Sequence, residues 1–150
     1  AMPEDGLPDP RHAVMGWRAY RDAGPYPVLP VEFFDAARVE AIVPKTSVEL
    51  LPNDSYILEM GFERLNGVSF RKGCYVGQEV TARMKHKTEL RKGLAQVAVS
   101  GDAAPGTEIT ADGKSVGTLL SRAGDRALAY LRFDRADDTM QAAGAAVRRM

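Results

Sequence analysis

A chain of 150 residues, 45% hydrophobic and 27% charged, has enough apolar material for a packed core, which excludes global disorder. Twenty Lys and Arg balance twenty Asp and Glu, so the net charge is zero. That argues against a nucleic-acid or membrane-surface binder at the level of the whole chain, while allowing a local patch. One cysteine cannot form an internal disulfide, which favours a reducing compartment, and a cytoplasmic protein is the expectation. With only His12 and His86 beside it, a Cys/His zinc site is not expected either. No apolar run approaches the ~20 residues of a membrane span, and the N-terminus lacks a signal-peptide pattern. Asn53-Asp54-Ser55 matches a glycosylation triplet and reads as coincidence without such a signal. Ala1-Met2 reads as a cloning remnant, so the natural chain is expected to start earlier.

Seven of the nine prolines lie at or before Pro44, so residues 1–30 are expected to be irregular. One short strand is expected within Ala13–Tyr20. Over Val31–Val43 the spacing predicts a helix opened by Pro30 and stopped by Pro44. Phe34, Ala37, Ala41, Val31 and Arg38 share one face of it at i, i+3, i+4, i+7. A second short helix is expected over Leu58–Leu65, weakened by Gly61 and stopped by Asn66-Gly67. Gln78–Lys87 contains neither Gly nor Pro and predicts a helix opened by Gly77.

Beyond Lys92 the texture changes to alternation. Leu94–Val99 reads as a strand. Glu108–Ala111 and Lys114–Leu120 flank Asp112-Gly113, a strong hairpin signal because both turn residues tolerate positive φ. Gly124-Asp125 marks a further turn before a strand at Ala127–Phe133, and a last strand is expected near Ala146–Arg148. The fold class expected is therefore α+β, with a small antiparallel β-barrel or sandwich at the C-terminus and a boundary near residues 88–92.

The densest chemical feature is Lys72-Gly73-Cys74-Tyr75-Val76-Gly77-Gln78-Glu79, followed by Arg83. Two glycines allow a tight turn and close approach to a ligand. A helix starting near Gly77 directs its free N–H groups towards Cys74, and Lys72 adds positive charge; both favour the thiolate. Cys74 is thus a candidate reactive residue, against the alternative of a small buried hydrophobe in a turn. A Cys74–His86 dyad is disfavoured, since ~12 residues of helix separate them by about 18 Å.

The block KGCYVGQEVTAR resembles the signature of the YgfZ family, folate-binding relatives of the glycine-cleavage T-protein that include factors for maturing iron–sulfur proteins. Asp9-Pro10-Arg11 with Gly16-Trp17-Arg18, the element Arg38–Pro44, Gly67–Phe70, Gly117-Thr118 and Ala127–Ala129 are similar to further family segments. Ile42 stands where the family pattern has glycine, and Phe34 where relatives can carry Trp. The resemblance implies a T-protein-like three-domain ring of which roughly the first half is absent here. Residues 1–20 would then be the tail of a ferredoxin-like middle domain, 21–87 the second part of a discontinuous folate-binding domain, and 88–150 the barrel.

It further implies tetrahydrofolate as cofactor, with Cys74 as the reactive group and with Glu40, Phe34 and Arg38 at the folate. One carboxylate can accept two hydrogen bonds from a pterin edge, and Glu40 lies where T-protein relatives place such a group. The alternatives are a solvent-facing Glu40 paired with Arg38 or Lys45, and a core Phe34. The implied function is an accessory role in iron–sulfur cluster assembly or repair and, through client enzymes, in tRNA modification. Its partners would be folate and iron–sulfur proteins or the assembly machinery, with no membrane. A tetrahydrofolate-dependent aminomethyltransferase is the alternative. Residues 71–92 hold seven cations against Glu79 and Glu89, which keeps open a nucleic-acid module, a groove for the folate glutamate tail, or a solvated face. A half ring is also expected to bind folate weakly and to self-associate.

Overall fold

A computed structural model describes residues 5–22, 24, 29–73, 76–87 and 89–150, and the backbone but not the side chain of Lys87. The elements run β1 (Leu7–Pro8), β2 (Trp17–Arg18), α1 (Val31–Glu40), α2 (Glu79–Lys87), β3 (Lys92–Ser100), β4 (Glu108–Ala111), β5 (Lys114–Ala123), β6 (Arg126–Arg132), β7 (Gln141–Ala142) and β8 (Ala145–Arg149). Strands β3-β6-β5-β4-β7-β8 close an antiparallel barrel, so the expected C-terminal barrel is present.

Alternation builds that barrel. Ala95, Val97 and Val99 of β3 and Ala127, Ala129 and Leu131 of β6 point into one core with Ile109, Val116, Leu119, Met140 and Val147. Small alanines suit a barrel this narrow, and closure leaves no free sheet edge. The turn at Asp112 and Gly113 has φ of 49° and 72°, the positive pair that matches strand twist in a two-residue hairpin. Leu128 points outward by the same alternation, yet it is fully buried, because α1 lies across β5 and β6.

The N-terminal half departs from expectation in four places, the first being β1, which pairs Leu7–Pro8 with Trp17–Arg18 inside the stretch expected to be irregular. Ala13–Tyr20 gives a 3-10 turn at Ala13–Met15 and only the two residues of β2. Leu58–Leu65 forms successive turns rather than a helix, with Gly61 at φ 75° and Asn66 at φ 58° breaking the regular ladder. Helix α1 ends at Glu40, three residues early, since Ile42 adopts φ 51° and reverses the chain before Pro44. A β-branched residue there costs roughly 1–2 kcal/mol relative to glycine, the residue the family pattern has at this position. Arg64 supports the strained turn by donating to the carbonyls of Ala41 and Ile42 at 2.9 and 2.8 Å. Strand β7, only two residues long, was not expected at all.

The Asp9-Pro10-Arg11 and Gly16-Trp17-Arg18 segments form one clamp. The buried Asp9 carboxylate accepts from Arg11 Nε and Nη2 at 2.9 and 2.7 Å and from Arg18 Nε at 2.9 Å. These bonds, that from Arg11 foremost, hold its pKa well below the usual carboxylate range. The clamp is tied onward by Asn66 Nδ2 donating to the Pro10 carbonyl, and by Met15 packing on Ala41, Val43 and Leu65.

Candidate functional site

Of the described signature residues, Lys72, Gly73, Gly77 and Gln78 precede α2, and Glu79 and Arg83 lie within it. Gly73 and Gly77 have φ of 86° and 92°, so each side of the motif needs a residue without Cβ strain. Lys72 and Arg83 are exposed, Gln78 is buried, and Glu79 opens the helix, where its charge suits the positive dipole end. The Gln78 carbonyl accepts from Ala82 N at 2.9 Å, starting the first turn. Val76 is 98% exposed at the tip. Cys74 and Tyr75 lie outside the described residues. Helix α2 is held to the preceding turns by Lys85, which meets Glu63 at 2.7 Å and lies 5.3 Å from the Phe70 ring centre. That contact absorbs one cation of the basic run.

Helix α1 presents two different faces. Arg38, expected at a ligand, is 2% exposed and directed into the protein. Its guanidinium donates to Asp35 at 3.1 Å, the Val43 carbonyl at 3.1 Å, Glu49 Oε2 at 3.0 Å and Ser121 Oγ at 2.6 Å. Glu49, equally buried, also accepts from the backbone of Lys45 and, through Oε1, from Ser121 N at 3.2 Å. The register of β5 on β6 shifts between Leu119 and Arg122, a bulge that releases the Ser121 N–H from the ladder for this bond. Together these residues weld α1 and the 45–50 turn to the barrel wall. Arg38 therefore positions α1, and its donors are engaged by protein groups.

Glu40 lies on the other side. It is exposed at the last turn of α1 and makes no ion pair among the described residues. Lys45, its expected partner, approaches Asp35 instead, at 3.7 Å. Phe34 is 47% exposed rather than core. Glu40 lies seven positions after Phe33, about two turns on, so Phe33 shares the Glu40 face more closely than Phe34 does. Phe33 is 63% exposed and was passed over in the sequence, although the 3.6 period points to it. The exposed carboxylate and the two exposed rings fit the requirements of a pterin in kind; Arg38 does not, since it is buried.

At the seam between the turns and the barrel, Glu59 is buried against β3 and β6. Its carbonyl accepts from Leu94 N at 2.8 Å, and its carboxylate accepts from the Tyr130 hydroxyl. A Cβ at Gly93 would fall 2.7 Å from that carbonyl, so the close seam depends on glycine there. Burial, and then the Glu59 carboxylate, raise the Tyr130 pKa above its ordinary 10.0. The folded chain thus keeps a proton that the unfolded chain releases, and the stability it carries below pH 10 is lost as pH rises beyond that value. Tyr130→Phe is expected to flatten this alkaline loss in urea unfolding at high pH. At neutral pH it should cost about 1–3 kcal/mol, because the buried Glu59 carboxylate loses its donor.

Comparison with known proteins gives the site a context. The chain is 37% identical over 139 residues to the mouse mitochondrial iron–sulfur cluster assembly factor IBA57, covering 84% of this chain and 39% of the mouse protein. It is 38% identical over 135 residues to the human IBA57, covering 82% of this chain and 38% of that protein. A chloroplastic Arabidopsis thaliana protein, named provisionally as a transferase, is 33% identical over 120 residues, covering 80% of this chain and 27% of that protein. The chain therefore spans about two fifths of the length of the mammalian relatives it matches. The cytoplasmic expectation is corrected by these comparisons: the mouse, human and fungal relatives are named mitochondrial, and a single reduced cysteine does not distinguish the two compartments. The barrel that α1 rests on corresponds to a recognised unit, since residues 91–149 match the family model of the CAF17 C-terminal beta-barrel domain.

Proposed function

We propose that this chain is the C-terminal portion of a YgfZ-type, T-protein-like protein that binds tetrahydrofolate and serves iron–sulfur cluster assembly or repair. In this reading its effect on tRNA modification runs through client enzymes, and its partners belong to the assembly machinery. The observation that carries it is the intact motif from Lys72 to Arg83 in a chain similar to two IBA57 assembly factors over more than four fifths of its length. The three-part division at residues 1–20, 21–87 and 88–150 belongs to the same proposal. Tetrahydrofolate would supply a one-carbon carrier. Glu40 would accept from the pterin edge, with Phe33 or Phe34 against the ring, and Arg38 would act only by holding α1 in place. The cluster is cargo, since one cysteine cannot provide the usual four ligands.

The test is rescue. Full-length protein should restore a [4Fe–4S] enzyme in cells lacking the endogenous factor, and Cys74→Ser should abolish the rescue without lowering protein level. Unchanged rescue by Cys74→Ser would remove Cys74 from the chemistry. In the same protein, alkylation by iodoacetamide against pH should give a Cys74 apparent pKa below the ~8.5 of a free thiol. An ordinary value would leave the cysteine a structural role. The similarity to the Arabidopsis protein, named only as a transferase, favours a second, transferase reading; the one we propose is a tetrahydrofolate-dependent aminomethyltransferase. Folate-dependent turnover of a methylamine donor by the purified protein would select it.

A further inference from the structure

The outer face of the barrel carries a groove of about 400 Å³ lined by Arg91, Lys92, Ser115, Thr118, Tyr130 and Arg132. The register of β3 on β6 sets Lys92 directly opposite Arg132. Directly opposed residues of an antiparallel pair project from the same face, roughly 4.5–5.5 Å apart at Cβ, and like charges so placed repel. Arg91 adds a third cation beside them. Compensation is partial. Asp134 meets Arg132 at 3.2 Å, but it lies outside this groove and also faces Arg135 at 4.0 Å. Among the described residues, Arg91 and Lys92 make no ion pair; the Lys92 ammonium lies 5.5 Å from the centre of the Tyr130 ring. Glu59 sits behind Tyr130 and is engaged by its hydroxyl. The groove therefore gathers three cations and the hydroxyls of Ser115 and Thr118 in a volume suited to a small ligand.

We propose that this groove binds a small oxyanion carrying two or more negative charges, a phosphoryl group or a polycarboxylate. Such a ligand lies between Lys92 and Arg132, converts their repulsion into two attractions, and takes further hydrogen bonds from Arg91 and the two hydroxyls. An arginine fork suits either kind of oxyanion. The site uses no residue of α1 or of the Cys74 motif; it includes Arg91 and Lys92 of the basic run but is argued from the groove itself and needs no folate.

Calorimetric titration of the chain at low ionic strength, with pyrophosphate in one series and citrate in another, tests it. Submillimolar binding is expected from at least one; a preference for pyrophosphate identifies a phosphoryl ligand, and a preference for citrate a polycarboxylate. Lys92→Gln should weaken binding roughly tenfold or more, as expected for loss of a charge-assisted contact. Arg126→Gln removes the same charge at the far end of β6 and should change affinity less than about twofold, being screened over that distance. The ligand-free melting temperature of Lys92→Gln should be no lower than that of the parent, because a repulsion has been relieved, while the anion-induced rise disappears. Lys92→Arg should retain binding. Absence of binding to both anions, equal loss in Lys92→Gln and Arg126→Gln, or a lowered ligand-free melting temperature in Lys92→Gln would overturn the proposal.

Discussion

Replacing Arg38 by Met is expected to lower the unfolding free energy by about 3–5 kcal/mol, a large share of the 5–15 kcal/mol typical of a domain. The cause is not the loss of one attractive pair. Arg38 and Glu49 are 2% and 0% exposed at their side chains and face each other at 3.0 Å. Removing the guanidinium leaves the Glu49 carboxylate buried with only the N–H donors of Lys45 and Ser121. A charge stranded in that way costs far more than an intact pair contributes. Arg38→Met combined with Glu49→Gln should therefore regain part of the loss, since the remaining groups are neutral, although the single amide oxygen can accept from only one of the two backbone donors, which reach different carboxylate oxygens. Urea unfolding of the parent, the single variants and the double variant measures the coupling. A single-variant loss under about 1 kcal/mol would show that the pair is effectively solvated.

In the full-length protein, Glu40→Gln is expected to weaken tetrahydrofolate binding by roughly ten- to a hundredfold, equivalent to about 1.5–3 kcal/mol. Glutamine keeps the size of the side chain but turns one acceptor into a donor that faces a ligand N–H. The structure makes this substitution clean, because Glu40 is exposed and unpaired among the described residues, so stability should hardly change. Glu63→Gln removes an acid that is occupied by Lys85, outside the motif, and should leave folate affinity unaltered. Equal affinity for parent and Glu40→Gln would remove Glu40 from the site and weaken the T-protein analogy. Phe33→Ala should lower affinity at least as much as Phe34→Ala if the ring that matters shares the Glu40 face.

What was legible in the sequence is what is written within a few residues. Asp112-Gly113 determined its hairpin because two consecutive residues tolerant of positive φ leave few other turns available. The alternation of Ala95, Val97 and Val99, and of Ala127, Ala129 and Leu131, determined which faces fill the barrel. The motif around Cys74 was visible for the same reason, being contiguous. The tertiary structure decided what depends on pairing between distant segments. It made Arg38 a weld to Ser121, 83 residues away, where the sequence offered a helix residue near a ligand motif. It joined Asp9 to Arg18, buried Leu128 on the outward side of β6, and brought Lys92 opposite Arg132. Strand register and helix docking are properties of the whole packing, in which a shift of one residue exchanges the two faces of a strand. A local pattern therefore states which residues are buried far better than it states which buried charges will meet.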